Sequence, residues 1–392
     1  MLDRHFYCIR LEKYLSWRKF FFTAFWNGSI IMAQRNFKFA KPGYRYEFPR
    51  DHAAHPDFKT EWWHYIGHLK TKDGHPFGFQ VTFFRHSLSD EEWKDKPQLK
   101  TDTLYFAHFA VTDEKRKAFT YREKFIRGGT PKSSSAEANF YRTWIADWVV
   151  EGLGRYHHIQ TVTDSLSLNL VFLPKKSPVI HGIDGVKWKA DGEGHATHYY
   201  SISRAEVEGI LTIYGQPVEV VGISWFDREF GTSQLGPQQV GWDWFSVQLN
   251  NNEELMIYLL RNGDGTTDHN SSGTYIDSDG ASEHLTLNDL SVQVCSKWKS
   301  KRSGAEYPAS WILSVPRRQL RLEVIPTVEN QELHTEESTR ITYWEGSVKI
   351  AGTLRGKKVT GRGYTELTGY TKSLGINLAE VSAFFSRKRR EK

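Results

Sequence analysis

The feature that most constrains this chain is a recurring run of short segments in which apolar and polar residues alternate. They include PFGFQVTFFR (76–85), TLYFAHFAVTD (103–113), LSLNLVFLP (166–174), THYYSISR (197–204), VEVVGISWFDREF (218–230), GWDWFSVQLN (241–250), ELMIYLLR (254–261), ASWILSVP (309–316), LRLEVIPTV (320–328) and GRGYTELTGY (361–370). Alternation of period two, bounded by Gly, Asn, Asp or Pro, predicts strands. Helical period is scarce, and NFYRTWIADWVV (139–150) fits a short helix or another strand. Many closely spaced short strands predict an all-β sandwich or antiparallel barrel. Closure of a barrel removes exposed sheet edges, and a barrel of about eight strands holds one small ligand.

The 392 residues suit two domains. The strands fall into two sets, 44–232 and 233–382, joined at GTSQLGPQQ (231–239), which has the Gly, Pro and amide content of a linker. Aromatics make up 14% of the chain, which favours pleated surfaces and large apolar pockets.

Both ends differ from the centre. The formal net charge is +6, part of it in the tail 383–392 with its SRKRREK (386–392). Such a tail is either a solvated, frayed end or a peripheral contact with an anionic membrane or nucleic acid. No basic run interleaved with aromatics marks a nucleic-acid groove elsewhere. The segment 1–43 contains WRKFFFTAFWNGSIIMAQ, where basic residues precede an apolar stretch too short to span a membrane. It reads as an export signal for a periplasmic protein, as an extension ahead of a true start at Met32 for a cytoplasmic one, or as an N-terminal helix. It is expected to pack poorly on the barrels. Cys8 and Cys295 form neither a disulfide framework nor a metal site.

Strand period also groups the polar residues. Glu61, Trp63, Tyr65 and Leu69 share one face of HPDFKTEWWHYIGHL (55–69). His198 and Tyr200 share another, as do Ile223, Trp225 and Asp227; Asp243 lines up with Phe245, Val247 and Leu249, and Tyr364 with Glu366 and Tyr370. Acids on aromatic faces serve either as general acids, because burial disfavours the anion, or as acceptors for Arg, Tyr and backbone amides that close a barrel end. Arg204 and Arg228 are available partners. The sequence holds no G-x-S-x-G elbow, no H-E-x-x-H and no phosphate loop. His64 and His68 would stand ~13 Å apart on a strand, too far to share a metal.

Taken together, FPRDHAAHPDFKTEWWHYIGHL (48–69), GFQVTFFR (78–85), YYSISR (199–204), SWFDREFGTSQL (224–235), GWDWF (241–245) and GYTELTGY (363–370) resemble the carotenoid 1,2-hydratase (hydroxyneurosporene synthase) family and its bacterial lipocalin-like relatives. The resemblance spans roughly 45–375. It implies two tandem lipocalin-like barrels and cofactor-free addition of water to a terminal isoprenoid double bond. The family's His-x-Trp pair, followed 27 residues after the His by Tyr-x-Asp, falls here on His198 with Tyr200 and on Trp225 with Asp227, the two aromatic types exchanged. By that carry-over Asp227 is the acid, Trp225 and Tyr200 flank the cation and His198 handles the water. Glu61, Trp63 and Glu366 bind substrate or support these groups. The four catalytic candidates are expected to converge on one pocket holding a hydrophobic small molecule. Two rivals stay open: a non-enzymatic carrier of an apolar ligand, and a pericyclase or isomerase in which shape orients the reactants.

Overall fold

The computed structural model describes residues 37–89, 103–128, 140–232 and 235–372. The basic tail, Cys8 and the apolar segment before Met32 lie outside the described residues. The architecture is all-β, as the alternation predicts: the described residues contain two antiparallel sheets and short 3-10 turns, and no α-helix.

The first sheet contains β1 (Thr60–Thr71), β2 (Pro76–Ser87), β3 (Thr103–Asp113), β4 (Ala118–Arg127), β5 (Arg142–Ile145), β6 (Trp148–Leu153), β7 (Tyr156–Thr161), β8 (Leu166–Pro174), β9 (Val179–Ile180), β10 (Lys187–Trp188), β11 (Ala196–Ile213) and β12 (Gln216–Gly231). Their order, β4-β3-β2-β1-β12-β11-β8-β7-β6-β5, curls into a nearly closed barrel. The ambiguous stretch 139–150 is a β5–β6 hairpin, turned at Ala146 with a left-handed φ of 54°. The second sheet contains β13 (Gln239–Leu249), β14 (Glu254–Asn262), β15 (Ser272–Ile276), β16 (Ser282–Thr286), β17 (Ser291–Lys299), β18 (Glu306–Val315), β19 (Leu320–Pro326), β20 (Glu332–His334), β21 (Thr342–Leu354) and β22 (Lys357–Leu367). It runs β16-β15-β14-β13-β22-β21-β19-β18-β17 and forms a half-barrel. In both sheets the first four strands lie in reverse order beside the last two, so the halves repeat one topology.

Each barrel is filled by its own side chains. Trp63, Tyr65, Phe79, Phe83, Phe109, Trp148, Phe172 and Phe226 pack inside the first; Phe245, Trp311, Leu322, Trp344 and Ile350 pack inside the second. A third apolar layer lies where the barrels meet, with Ile66, Tyr199 and Trp225 from the first against Trp244, Met256, Tyr258, Leu260 and Tyr364 from the second.

That third layer explains the crowded 61–69 stretch. Strand β1 is buried on both faces. Its odd residues Glu61, Trp63 and Tyr65 enter the first barrel, while His64, Ile66 and His68 face the second. Strands β12 and β13 divide the same way: Phe226 fills the first barrel and Trp225 the junction, Phe245 the second barrel and Trp244 the junction.

Candidate active site at the barrel junction

Four ionisable side chains from four strands meet across the junction. On the first barrel, His64 and Asp227 are direct cross-strand partners of β1 and β12, and Ser201 is the partner of Asp227 on β11. On the second barrel, Glu345 and Glu366 are direct partners of β21 and β22. Directly opposed residues share a sheet face. Packing the barrels together brings His64 Nε2 to 2.6 Å from Glu345 Oε1, and His64 Nδ1 to 3.8 Å from Asp227 Oδ2.

Each group is held by neutral donors. Trp225 Nε1–H donates to Asp227 Oδ1 at 2.8 Å, and the Ser201 hydroxyl donates to the same oxygen. His181 bridges Ser201 at 2.6 Å and Thr274 of the second barrel at 2.8 Å. Gln80 donates to Glu345 and, at 3.2 Å, to Tyr343. Trp242 Nε1–H donates to Glu366 Oε2 at 2.9 Å. His64, Asp227 and Glu345 are buried, whereas Glu366, Trp62 and Trp242 keep part of their surface exposed. The junction therefore meets solvent at a rim of indole rings beside Glu366.

Burial and the adjacent Glu345 charge push the Glu366 carboxyl up to about 8, against the opposing pull of His64 and Trp242. Glu366 therefore holds its proton at neutral pH. Burial drives the His64 imidazole down, but Glu345 and Asp227 outweigh it and lift the group to about 10, so it is an imidazolium. His181 is pushed down to about 4 by burial and is neutral. Beside them lies Lys189, paired with Glu229 at 2.6 Å, with its Nζ over the rings of Trp62, Trp242 and Tyr258 at 4.9, 5.7 and 5.5 Å. The buried Tyr258 hydroxyl has no hydrogen-bond partner among the described residues. A buried unpaired hydroxyl is costly unless a bound molecule answers it.

The four catalytic candidates read from the sequence do not converge. Trp225 and Asp227 face the junction; His198 and Tyr200 face the interior of the first barrel. The cause is register: Tyr200 pairs with Arg228 and His198 with Phe230, so both share a face with the even residues of β12, while Asp227 pairs with Ser201. Inside the barrel, Tyr200 Oη shares a 2.7 Å hydrogen bond with His52 Nδ1 and donates to Asp51 O at 3.1 Å. His198 Nδ1–H donates to Gly185 O at 3.0 Å.

Glu61 and Trp63 also lie on the interior side. Glu61 is fully buried, bonded to the guanidinium groups of Arg85 and Arg228 and to the His55 backbone N–H. Arg85 and Arg228 also donate to the carbonyls of Phe58, His55 and Ala53. The network thus staples the 53–58 loop over the barrel end. Trp63 donates to His52 O at 2.8 Å, and its ring carries the Arg228 guanidinium at 4.0 Å. Asp243 is buried in a separate cluster with Arg261 at 2.9 Å and Tyr370 at 3.0 Å. Of the six residues beyond Asp227 named as site candidates, Trp225 and Glu366 reach the junction. His64, which the sequence offered only as half of a rejected metal pair with His68, joins them, as do Ser201, His181, Glu345 and Tyr258, which no sequence pattern singled out.

Residues 39–370 match the AttH-like family, and the chain belongs to it. A crystallised AttH protein of Nitrosomonas europaea is 30% identical, with a TM-score of 0.77 over 85% of this chain and 99% of that one. Kievitone hydratase from Nectria haematococca shares the fold at 14% identity, with a TM-score of 0.66 over 83% of this chain and 93% of its own. No curated protein matches the chain.

Proposed function

We propose that this chain is a cofactor-independent hydro-lyase of the carotenoid 1,2-hydratase kind, adding water to a C=C bond of a hydrophobic, isoprenoid-type substrate held at the barrel junction. The observation that carries this reading is the convergence of a proton-holding carboxyl, Glu366, with Glu345, His64 and Asp227 beneath an indole-lined opening. The kievitone hydratase likeness agrees in fold.

Alkene hydration needs an acid, a shielded cation and a placed water. Glu366 is on the solvent side of the cluster and supplies the proton: its O–H bond breaks and the alkene π pair forms the new C–H bond. The cation left on the more substituted carbon is stabilised by the indole faces of Trp62 and Trp242 that Lys189 leaves open, at ~2 kcal/mol or more per desolvated ring contact. A water oxygen then closes the C–O bond. Its proton passes to Asp227 through Oδ2, the oxygen that Trp225 and Ser201 leave free. Trp225 and Ser201 position that carboxylate, and His64 spans the gap between it and Glu345.

The test is incubation with terminal isoprenoid alkenes in heavy-oxygen water. Product oxygen should carry the label. Glu366→Gln should lose at least a thousandfold in kcat and Asp227→Asn at least a hundredfold, with substrate binding nearly unchanged in both, since amides keep shape without the proton chemistry. Tight binding with no turnover in the unaltered protein would move it to the carrier class.

A further inference from the structure

We infer that the chain has a second ligand site, a cleft at the mouth of the first barrel that takes a small amphipathic anion, a flat apolar body bearing a carboxylate. The cleft measures about 470 Å³, within the range of small-molecule sites. Lys38, Lys41, Arg50, Phe39, Phe58 and His198 line it. It is separated from the junction by the first barrel's own sheet: His198 points to the interior side of β11, and the register of β11 on β12 turns Asp227 to the other side. The site is independent of the hydratase reading, and that reading does not use His198.

Three observations set the ligand's chemistry. The first is charge. Lys38, Lys41 and Arg50 converge on the cleft, where Asp57 is the one acidic lining residue; the carboxylates that pair with Lys41 and Arg50, Glu193 and Asp51, are not part of the lining. The present partners are weak competitors. Lys38 with Asp57 and Lys41 with Glu193 are pairs in which every side chain is more than 60% exposed. Exposed pairs of this kind hold little free energy, so a ligand carboxylate can displace them. Arg50 is half-exposed, with its guanidinium 2.9 Å from Asp51 and 3.3 Å from Tyr44 Oη.

The second is shape. Phe39, Phe58, Pro42 and Pro56 give the cleft flat apolar walls. Tyr44 packs against His198 with ring centroids 4.4 Å apart and planes tilted by 32°, which sets the floor.

The third is a directed acceptor. His198 Nδ1–H is committed to Gly185 O, and burial lowers the affinity of the ring for a second proton. Its Nε2 is therefore a lone-pair acceptor, and it makes no hydrogen bond among the described residues. A hydroxyl on the ligand's apolar body would meet it. The geometry thus fits a hydroxylated aryl or polycyclic acid better than a plain fatty acid.

The experiment is calorimetric titration of the full chain with 2-naphthoate, 6-hydroxy-2-naphthoate and the neutral 2-naphthalenemethanol. The site predicts one molecule of either acid per chain, the hydroxylated acid bound several-fold tighter, and at least tenfold weaker binding of the alcohol. A Lys38→Gln, Lys41→Gln, Arg50→Gln variant should bind the acids at least tenfold more weakly with no change for the alcohol. All three side chains are largely exposed, so an unchanged melting profile will show that the fold survives. His198→Phe should erase the preference for the hydroxylated acid and leave 2-naphthoate binding nearly intact. The idea fails if the triple variant binds the acids normally, or if none binds at millimolar concentration. Loss of binding in Trp62→Ala, with the triple variant unaffected, would place the ligand in the junction and overturn the second site.

Discussion

Glu345 and Glu366 stand directly opposite each other on adjacent antiparallel strands, and a histidine from the other barrel reaches one of them and not the other. Two carboxylates on facing cross-strand positions cannot both ionise cheaply in a buried setting. The structure resolves the conflict by asymmetry. Glu345 receives the His64 imidazolium and Gln80, while Glu366 receives a neutral indole N–H and keeps its proton. Environments that differ between paired titratable groups are how one site holds both an acid and a base at one pH.

The pH dependence follows from Glu366. Its folded pKa of about 8 lies above the ordinary 4.5, so the folded state binds an extra proton between those values. Folding stability therefore falls as pH rises from 4.5, and the loss is complete above about 8. Glu366→Gln, neutral at every pH, should melt higher than the unaltered protein at pH 9, and the difference should shrink towards pH 5. Turnover should drop along a curve centred near 8 in the unaltered protein, as the acid form disappears. A melting difference independent of pH would show that Glu366 titrates normally.

His64 carries the same sign at higher pH, but here the protonated form is a cation that holds two carboxylates. Its folded pKa of about 10 exceeds the ordinary 6.5, so its stabilising effect is full below 6.5 and fades as pH rises through about 10. His64→Gln should lower the melting temperature at pH 7, because Glu345 and Asp227 lose the cation between them. Adding Glu345→Gln to that variant should recover part of the loss. A double-mutant cycle read by urea unfolding should give a coupling of about 1–3 kcal/mol between the two sites. Additive effects would mean that the bond between the barrels contributes nothing.

The alternation was enough to read the all-β class, and the period-two faces of each strand were legible one strand at a time. What could not be read was how faces combine. Trp225 and Asp227 share a face, and so do His198 and Tyr200, but which face of β11 joins which face of β12 depends on register, and a shift of one residue reverses it. His64 was hidden for a different reason. Its partner Glu345 lies 281 residues away on another barrel, so no local pattern names the pair. A signal was present in EWWHYIGHL all the same: aromatic and ionisable residues on both faces mark a strand buried on both sides. The same holds for GWDWF, and two such strands in one chain point to two sheets packed against each other.

Glu61 tests the division between holding the fold and doing chemistry. It is buried between Arg85 and Arg228, and losing it would leave two guanidinium groups short of their counter-charge. Removing one partner of a buried ion network costs about 3–5 kcal/mol. Glu61→Gln should lower the urea midpoint by a large margin and loosen the 53–58 loop, seen as faster amide exchange there. In the fraction that remains folded, kcat at the junction should be close to that of the unaltered protein. A stable Glu61→Gln protein with lost turnover would place Glu61 in the chemistry.

Gly78 shows how closely the barrels approach, and it gives the most direct test of the junction. It sits on β2 opposite His68, facing the second barrel. A Cβ at this position would stand 2.6 Å from Tyr364 Oη and 2.7 Å from Ser347 Cβ, both closer than side chains tolerate. The two obstacles lie on neighbouring strands, β22 and β21, where Tyr364 and Ser347 are direct partners. Tyr364 Oη is the tip of a side chain, but Ser347 Cβ is fixed to the backbone and cannot step aside without moving that sheet, which also carries Glu345 and Glu366. Gly78→Ala should therefore push the barrels apart, at a cost of about 1–3 kcal/mol for overpacking. The effect should reach the site: with the His64–Glu345 bond stretched, the His64 imidazolium should titrate well below 10, visible in the ring proton resonances. Adding Tyr364→Phe removes one obstacle and leaves the other, so it should restore part of the stability and part of the His64 shift. Destabilisation by Gly78→Ala with His64 still titrating near 10 would show that the strain is absorbed locally and that the barrels do not move as rigid halves.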